Sequence, residues 1–127
     1  MSDISPPKIL IRTPNWLGDL VMASGFIRAV LDYYPEADVD LIVKSGFENL
    51  PLPRRGKIIV FDSEDYSAGA FGKTLVSANY SHIYVLPPSF SSAWMAFQSK
   101  ILQRIGYAGE FRSLLLTKAK KHEGKPR

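Results

Sequence analysis

The sequence contains no cysteine, which removes a disulfide framework, a thiolate metal site and a cysteine nucleophile together. That absence fits a reducing compartment. The two histidines, His82 and His122, stand far apart and lack the spaced partners of a metal site. No apolar run nears the roughly 18–20 residues of a membrane-spanning helix. Met1–Pro7 carries no apolar signal-like core, so the chain is expected to stay in the cytoplasm, where it is made. There is no internal repeat and no low-complexity tract.

Charge of one sign is scarce in the body of the chain. Of 16 basic and 12 acidic residues, five basic and one acidic lie in 118–127, which leaves 11 of each before it. The net charge of +4 therefore describes a tail rather than a basic face. A solvated end or the start of a linker is the plain reading of that tail, with nucleic acid or anionic lipid as the competing partners. The body has no nucleic-acid motif, so no nucleic-acid partner is expected.

What remains is an ordinary soluble composition. The chain has 127 residues, 46% hydrophobic and 22% charged, enough for one domain with its own core. Lys8–Arg12 is a short apolar run of the kind found in strands buried on both faces. Asp19–Tyr34 repeats apolar residues at helical spacing and is stopped by Pro35. Further strands are expected at Val39–Val43, Lys57–Phe61, His82–Leu86 and Arg104–Tyr107, with a sixth extended piece at Ser113–Thr117. A weak helix is expected over Phe71–Ala78 and another over Ser91–Leu102, capped by Ser89 or Ser91. Strands alternating with helices predict an α/β, Rossmann-like, doubly wound, mostly parallel sheet. It would occupy residues 1–117, with 118–127 as the basic tail.

Ligands of such a fold gather at the carboxyl ends of the strands. Three loops belong there: Thr13–Asp19, Asp62–Gly69 and Pro87–Ser92. The first lacks the G-x-G-x-x-G of dinucleotide binders and the G-K-[ST] ending of a P-loop. It places one glycine and one carboxylate where the first strand yields to its helix. Asp19 can take a proton from an attacking hydroxyl, or it can serve as an acidic residue at a helix start. The local sequence leaves both readings open.

Residues 11–23, Ile-Arg-Thr-Pro-Asn-Trp-Leu-Gly-Asp-Leu-Val-Met-Ala, resemble the opening motif of the ADP-heptose–lipopolysaccharide heptosyltransferases of glycosyltransferase family 9, closest to the heptosyltransferase II branch. Leu86-Pro87, Ser89-Phe90 with Ser92-Ala93, Arg104–Tyr107 and Arg112–Thr117 follow in the family's order. The resemblance covers nearly all of Lys8–Thr117. It implies the N-terminal half of a two-domain GT-B enzyme. That half binds the lipopolysaccharide inner-core acceptor, while an absent C-terminal domain binds most of the ADP-heptose donor. It implies inverting transfer without a metal or other cofactor, and Asp19 as general base. The chain alone would then be an incomplete enzyme, in peripheral contact with the inner membrane through its lipid-linked acceptor.

Around Asp19, Gly18 would let backbone approach the sugars. Thr13 and Asn15 belong to the same acceptor loop, and Trp16 can stack on a sugar ring or pack into the core. Arg12, Arg104 and Arg112 can pair with acceptor phosphates or carboxylates, or lie in surface salt bridges. Ser89, with Ser91 and Ser92, can bind an anion at a helix start or simply cap it. Arg54-Arg55 reads as a solvated turn or an acceptor contact. Residues 62–80 receive no roles. No serine comes with a matched base, which disfavours a serine hydrolase. The alternative to the transferase reading is a stand-alone, non-catalytic module for a sugar phosphate or nucleotide.

Overall fold

The computed structural model describes residues 7–64, 67–87, 90–107 and 118–120. Strands β1 (Lys8–Arg12), β2 (Asp38–Lys44), β3 (Ile58–Phe61), β4 (His82–Val85), β5 (Gln103–Tyr107) and β6 (Lys118–Lys120) form one sheet in the order β3-β2-β1-β4-β5-β6. Every neighbouring pair is parallel. This is the strand order of a Rossmann-type sheet, and it is the doubly wound α/β fold expected from the sequence.

Side-chain alternation divides the core in two. Ile9 and Ile11 of β1 and Val39, Leu41 and Val43 of β2 pack under helix α1 (Leu17–Tyr33) with Ile27, Val30 and Leu31. Leu10, Ile42, Ile83 and Val85 face the other way, toward helices α2 (Ala68–Lys73) and α3 (Phe90–Gln98). Both faces of β1 and β2 are covered, which explains their apolar runs, interrupted in β2 only by the buried Asp40. Each fully buried Leu or Ile contributes roughly 1.5–3 kcal/mol.

Two polar arrangements brace this core. Asp40, on the α2 side of β2, is buried and accepts hydrogen bonds from Tyr80 Oη at 2.6 Å and the Lys57 amide at 2.9 Å. Arg55 closes the end of α1, whose last turn has no basic residue. Its guanidinium donates to the carbonyls of Leu31, Tyr34 and Ala37 at 3.0, 2.8 and 3.1 Å. Neither the solvated turn nor the acceptor contact expected of Arg54-Arg55 describes that role.

Several boundaries differ from expectation. Helix α1 begins at Leu17, two residues early, and its N-cap is Trp16, which makes no side-chain cap bond. Helix α2 begins at Ala68, three residues early, because Ser67 Oγ caps it by accepting from the Ala70 amide at 3.2 Å. It ends at Lys73, and a separate 3-10 turn follows at Val76–Ala78. Helix α3 stops at Gln98 rather than Leu102. Lys100 takes a left-handed φ of 64° there, and Ile101 turns back into the core. The last strand lies at Lys118–Lys120, so the sheet reaches into the segment read as a tail; Ser113–Thr117 lies outside the described residues. Among the described residues no helix is long and apolar enough to cross a membrane.

Candidate functional site

The chain builds β1, β2 and β3 outward on one side, then returns to place β4 on the other side of β1. The winding direction reverses between β1 and β4, which opens a crevice at their carboxyl ends. The β1–α1 loop and the segment after β4 flank it, joined by the Leu86 amide donating to the Arg12 carbonyl at 3.1 Å.

Thr13 anchors the first loop. Its amide and its hydroxyl both donate to the Ile42 carbonyl, at 3.0 and 2.7 Å, and the residue is fully buried. The hydroxyl is thus committed to the scaffold. Arg12, only 2% exposed, donates from Nη1 to the Thr13 carbonyl at 2.7 Å and from Nη2 to Asn15 Oδ1 at 2.8 Å. Burial lowers its pKa to about 10, so it stays charged at neutral pH. The Phe61 ring centroid lies 5.5 Å from its Cζ.

The loop then turns outward. Trp16 is 71% exposed and so does not pack into the core. Lys44, at the end of β2, holds its Nζ 5.8 Å from the Trp16 ring centroid and 5.9 Å from that of Phe47. Gly18 and Asp19 are exposed in the first turn of α1. A Cβ on Gly18 would meet nothing within 4 Å, so internal packing does not require a glycine there. Asp19 makes no side-chain hydrogen bond to the helix start, and among the described residues its carboxylate has no cationic partner. The capping reading of Asp19 therefore lacks its bond.

Behind this loop lies a cavity of about 250 Å³ between β1, β3, α2 and α3. Arg12, Asn15, Ser63, Ser67, Ser91 and Ser92 line it, over Phe61 and Met95. Its α2 wall comes close because of Gly72, where a Cβ would strike the Met95 carbonyl oxygen of α3.

The other expected contacts fall elsewhere. Arg104 pairs in register with Ile83, two residues short of the crevice level marked by Val85, and its Nη1 donates to the Ile101 carbonyl at 2.7 Å. Burial lowers its pKa, and its Cζ lies 5.3 Å from the Phe97 ring centroid. The structure does not bring Arg104 together with Asp19, Asn15 and Arg12. Ser89 and Arg112 lie outside the described residues. Among the described residues no three His, Asp or Glu side chains converge on a metal position. Sequence reasoning missed Lys44, Ser63 and Ser67. The only available signals were a lysine ending a strand and serines in a loop at the carboxyl edge.

The model of glycosyltransferase family 9 (heptosyltransferase) matches residues 68–126. Lipopolysaccharide heptosyltransferase 2 of Salmonella typhimurium is 31% identical over 121 residues, spanning 89% of this chain and 34% of that protein. Its Escherichia coli counterpart is 32% identical over 117 residues, spanning 86% and 33%. The solved structure of Escherichia coli ADP-heptose LPS heptosyltransferase II superposes with a TM-score of 0.79 at 31% identity, over 89% of this chain and 34% of that one.

This chain is related to the heptosyltransferases of glycosyltransferase family 9.

A family 9 glycosyl transferase structure from Veillonella parvula shares the fold, with a TM-score of 0.78 at 15% identity over 99% of this chain and 39% of its own. The chain spans about a third of the length of the heptosyltransferases it matches.

Proposed function

We propose that this chain is the N-terminal, acceptor-side domain of an inverting GT-B heptosyltransferase that moves heptose from ADP-heptose to the lipopolysaccharide inner core. The observation that carries the proposal is the Asp19 carboxylate. It stands exposed and, among the described residues, without a cationic partner at the switch-point loop of a chain related to heptosyltransferases.

The chemistry follows from that placement. Asp19 accepts the proton of an acceptor hydroxyl as its oxygen attacks the anomeric carbon of the heptose. The bond from that carbon to the ADP oxygen breaks as the new one forms, and ADP leaves with the electron pair. Attack opposite the leaving group inverts the centre. Trp16 offers an exposed ring for a sugar face. Asn15 uses its oxygen on Arg12 and retains its amide protons for a hydroxyl. Thr13, with its hydroxyl and amide spent on the Ile42 carbonyl, holds the loop rather than reaching the sugar. No step assigned to these side chains calls for a metal or cofactor.

A donor site is assigned to a further domain, as the relatives' threefold greater length suggests. The chain alone would then be inactive. It would work in the cytoplasm, touching the inner membrane through its lipid-linked acceptor. The test is transfer from ADP-heptose to heptose-deficient lipopolysaccharide by a full-length protein carrying this sequence as its first third. Turnover of ADP-heptose with that acceptor supports the proposal. A folded full-length protein that turns over other sugar nucleotides but never ADP-heptose contradicts it.

A further inference from the structure

Arg12 is a buried cation whose pairing is incomplete. A guanidinium has five N–H donors. Here one goes to the Thr13 carbonyl and one to Asn15 Oδ1, while Nε is buried with no hydrogen-bond partner among the described residues. Among the described residues no carboxylate stands within ion-pair distance of it. Buried charges are ordinarily paired, because desolvation costs several kcal/mol per ion. Burial lowers the Arg12 pKa only to about 10, so the charge persists at neutral pH.

Arg12 lines the cavity of about 250 Å³ described above, and its other polar walls are Asn15, Ser63, Ser67, Ser91 and Ser92. Among the described residues no acidic side chain lines it. Ser67 Oγ already accepts from the Ala70 amide and keeps its own O–H to donate. The Asn15 oxygen is held by Arg12, so its NH2 is the group left for a ligand. The wall is therefore rich in donors around one cation. The volume falls below the roughly 300–1,000 Å³ of drug-sized sites and suits one small charged group.

We propose that this cavity is a subsite for a single oxyanion, a carboxylate or phosphate borne by the acceptor sugar, with the Arg12 guanidinium as its counter-ion. The anion completes the pairing that the protein leaves open and seats the acceptor beside the Asp19 loop. Naming the acceptor as the carrier rests on the function proposed above; the existence of the oxyanion subsite does not.

The experiment is an NMR titration of the 127-residue chain, read at backbone amides and at the Arg12 Nε–H. The probes are inorganic phosphate, methyl glucuronoside and neutral methyl glucoside, at constant ionic strength. Phosphate and the glucuronoside should give saturable shifts at Arg12, Asn15, Ser63 and Ser67, and the glucoside none. Arg12→Met should weaken both anions by about tenfold or more, the scale of a lost charge-assisted pair. Ser63→Tyr, which fills the rim without entering the core, should do the same and serves if Arg12→Met does not fold. Unsaturable shifts, shifts centred on residues 118–127, or binding retained in Ser63→Tyr would overturn the subsite. Phosphate binding without glucuronoside binding would overturn a carboxylate as the acceptor-borne anion. No outcome depends on turnover, so failure here is distinct from failure of the transferase reading.

Discussion

Arg12 Nη2 and Asn15 Oδ1 are joined by a 2.8 Å hydrogen bond that ties the end of β1 to the turn leading into α1. The bond sets the loop's geometry, because it fixes the side chain just before Trp16 and the helix start. It also makes Asn15 a partner of a buried charge rather than a free contact. Asn15→Ala should lower stability by about 1–2 kcal/mol, since it strips an acceptor from a charged donor. Asn15→Asp should instead supply a carboxylate, raise stability at neutral pH and exclude phosphate from the cavity. Urea midpoints of the three proteins test this; equal midpoints would show that the bond contributes nothing.

Tyr80 and Asp40 form the second buried polar pair. Tyr80→Phe removes the donor to Asp40 Oδ2 and should cost about 1–3 kcal/mol. Burial, and then the hydrogen bond to Asp40, raise the Tyr80 pKa above its ordinary value. The folded chain thus keeps a proton that the unfolded chain loses above about pH 10. The wild-type advantage over Tyr80→Phe should be constant below that pH and shrink above it, by up to about 1.4 kcal/mol per pH unit. The buried Arg12 changes stability with the opposite sign, but it is common to both proteins and cancels. An advantage that stays constant up to pH 11 would contradict the account.

Arg55 closes α1 through three carbonyls. Because it is exposed, Arg55→Ala should cost about 1 kcal/mol rather than the several expected of a buried ion. Arg55→Lys should recover only part, since one ammonium cannot span the same three acceptors. Thermal unfolding followed by circular dichroism gives the ranking, and lysine equal to arginine would refute it.

Gly72 and Gly25 should respond oppositely to alanine. A Cβ on Gly72 strikes the Met95 carbonyl oxygen, whereas one on Gly25, within α1, meets nothing within 4 Å. Gly72→Ala should destabilise by about 1–3 kcal/mol as α2 is pushed from α3. Gly25→Ala should stabilise by about 0.5–1 kcal/mol through helix propensity. A Gly72→Ala variant as stable as the wild type or more so would show that the α2–α3 approach is not tight.

The elements legible in the sequence are those whose burial is one-sided in cause. β1 and β2 lie under helices on both faces, so they read as apolar runs, interrupted in β2 only by Asp40. Helix α1 carries Leu20, Ile27, Val30 and Leu31 at helical spacing, but its start is hidden because Trp16 is not a capping residue type. Helix α2 is glycine-rich for contact with α3, which masks its helical character. At the site, the sequence could place Asp19, Asn15 and Trp16 on the crevice loop because strand ends define that edge. It could not show that the Thr13 hydroxyl is spent on Ile42, nor that Arg104 lies two residues below the crevice. The cavity beside Arg12 has walls from β1, β3, α2 and α3 together, and no local pattern encodes that meeting.

The central claim is that Asp19 takes the acceptor proton. The most direct measurement is kcat for heptose transfer by a full-length protein carrying this sequence, compared with its Asp19→Asn variant. The substitution keeps size and polarity, so the fold and the stability should be unchanged. Removing a general base should lower kcat by about 10²–10⁴-fold with little change in acceptor KM. A variant that folds normally and retains near-wild-type kcat would contradict the assignment of Asp19 as the base.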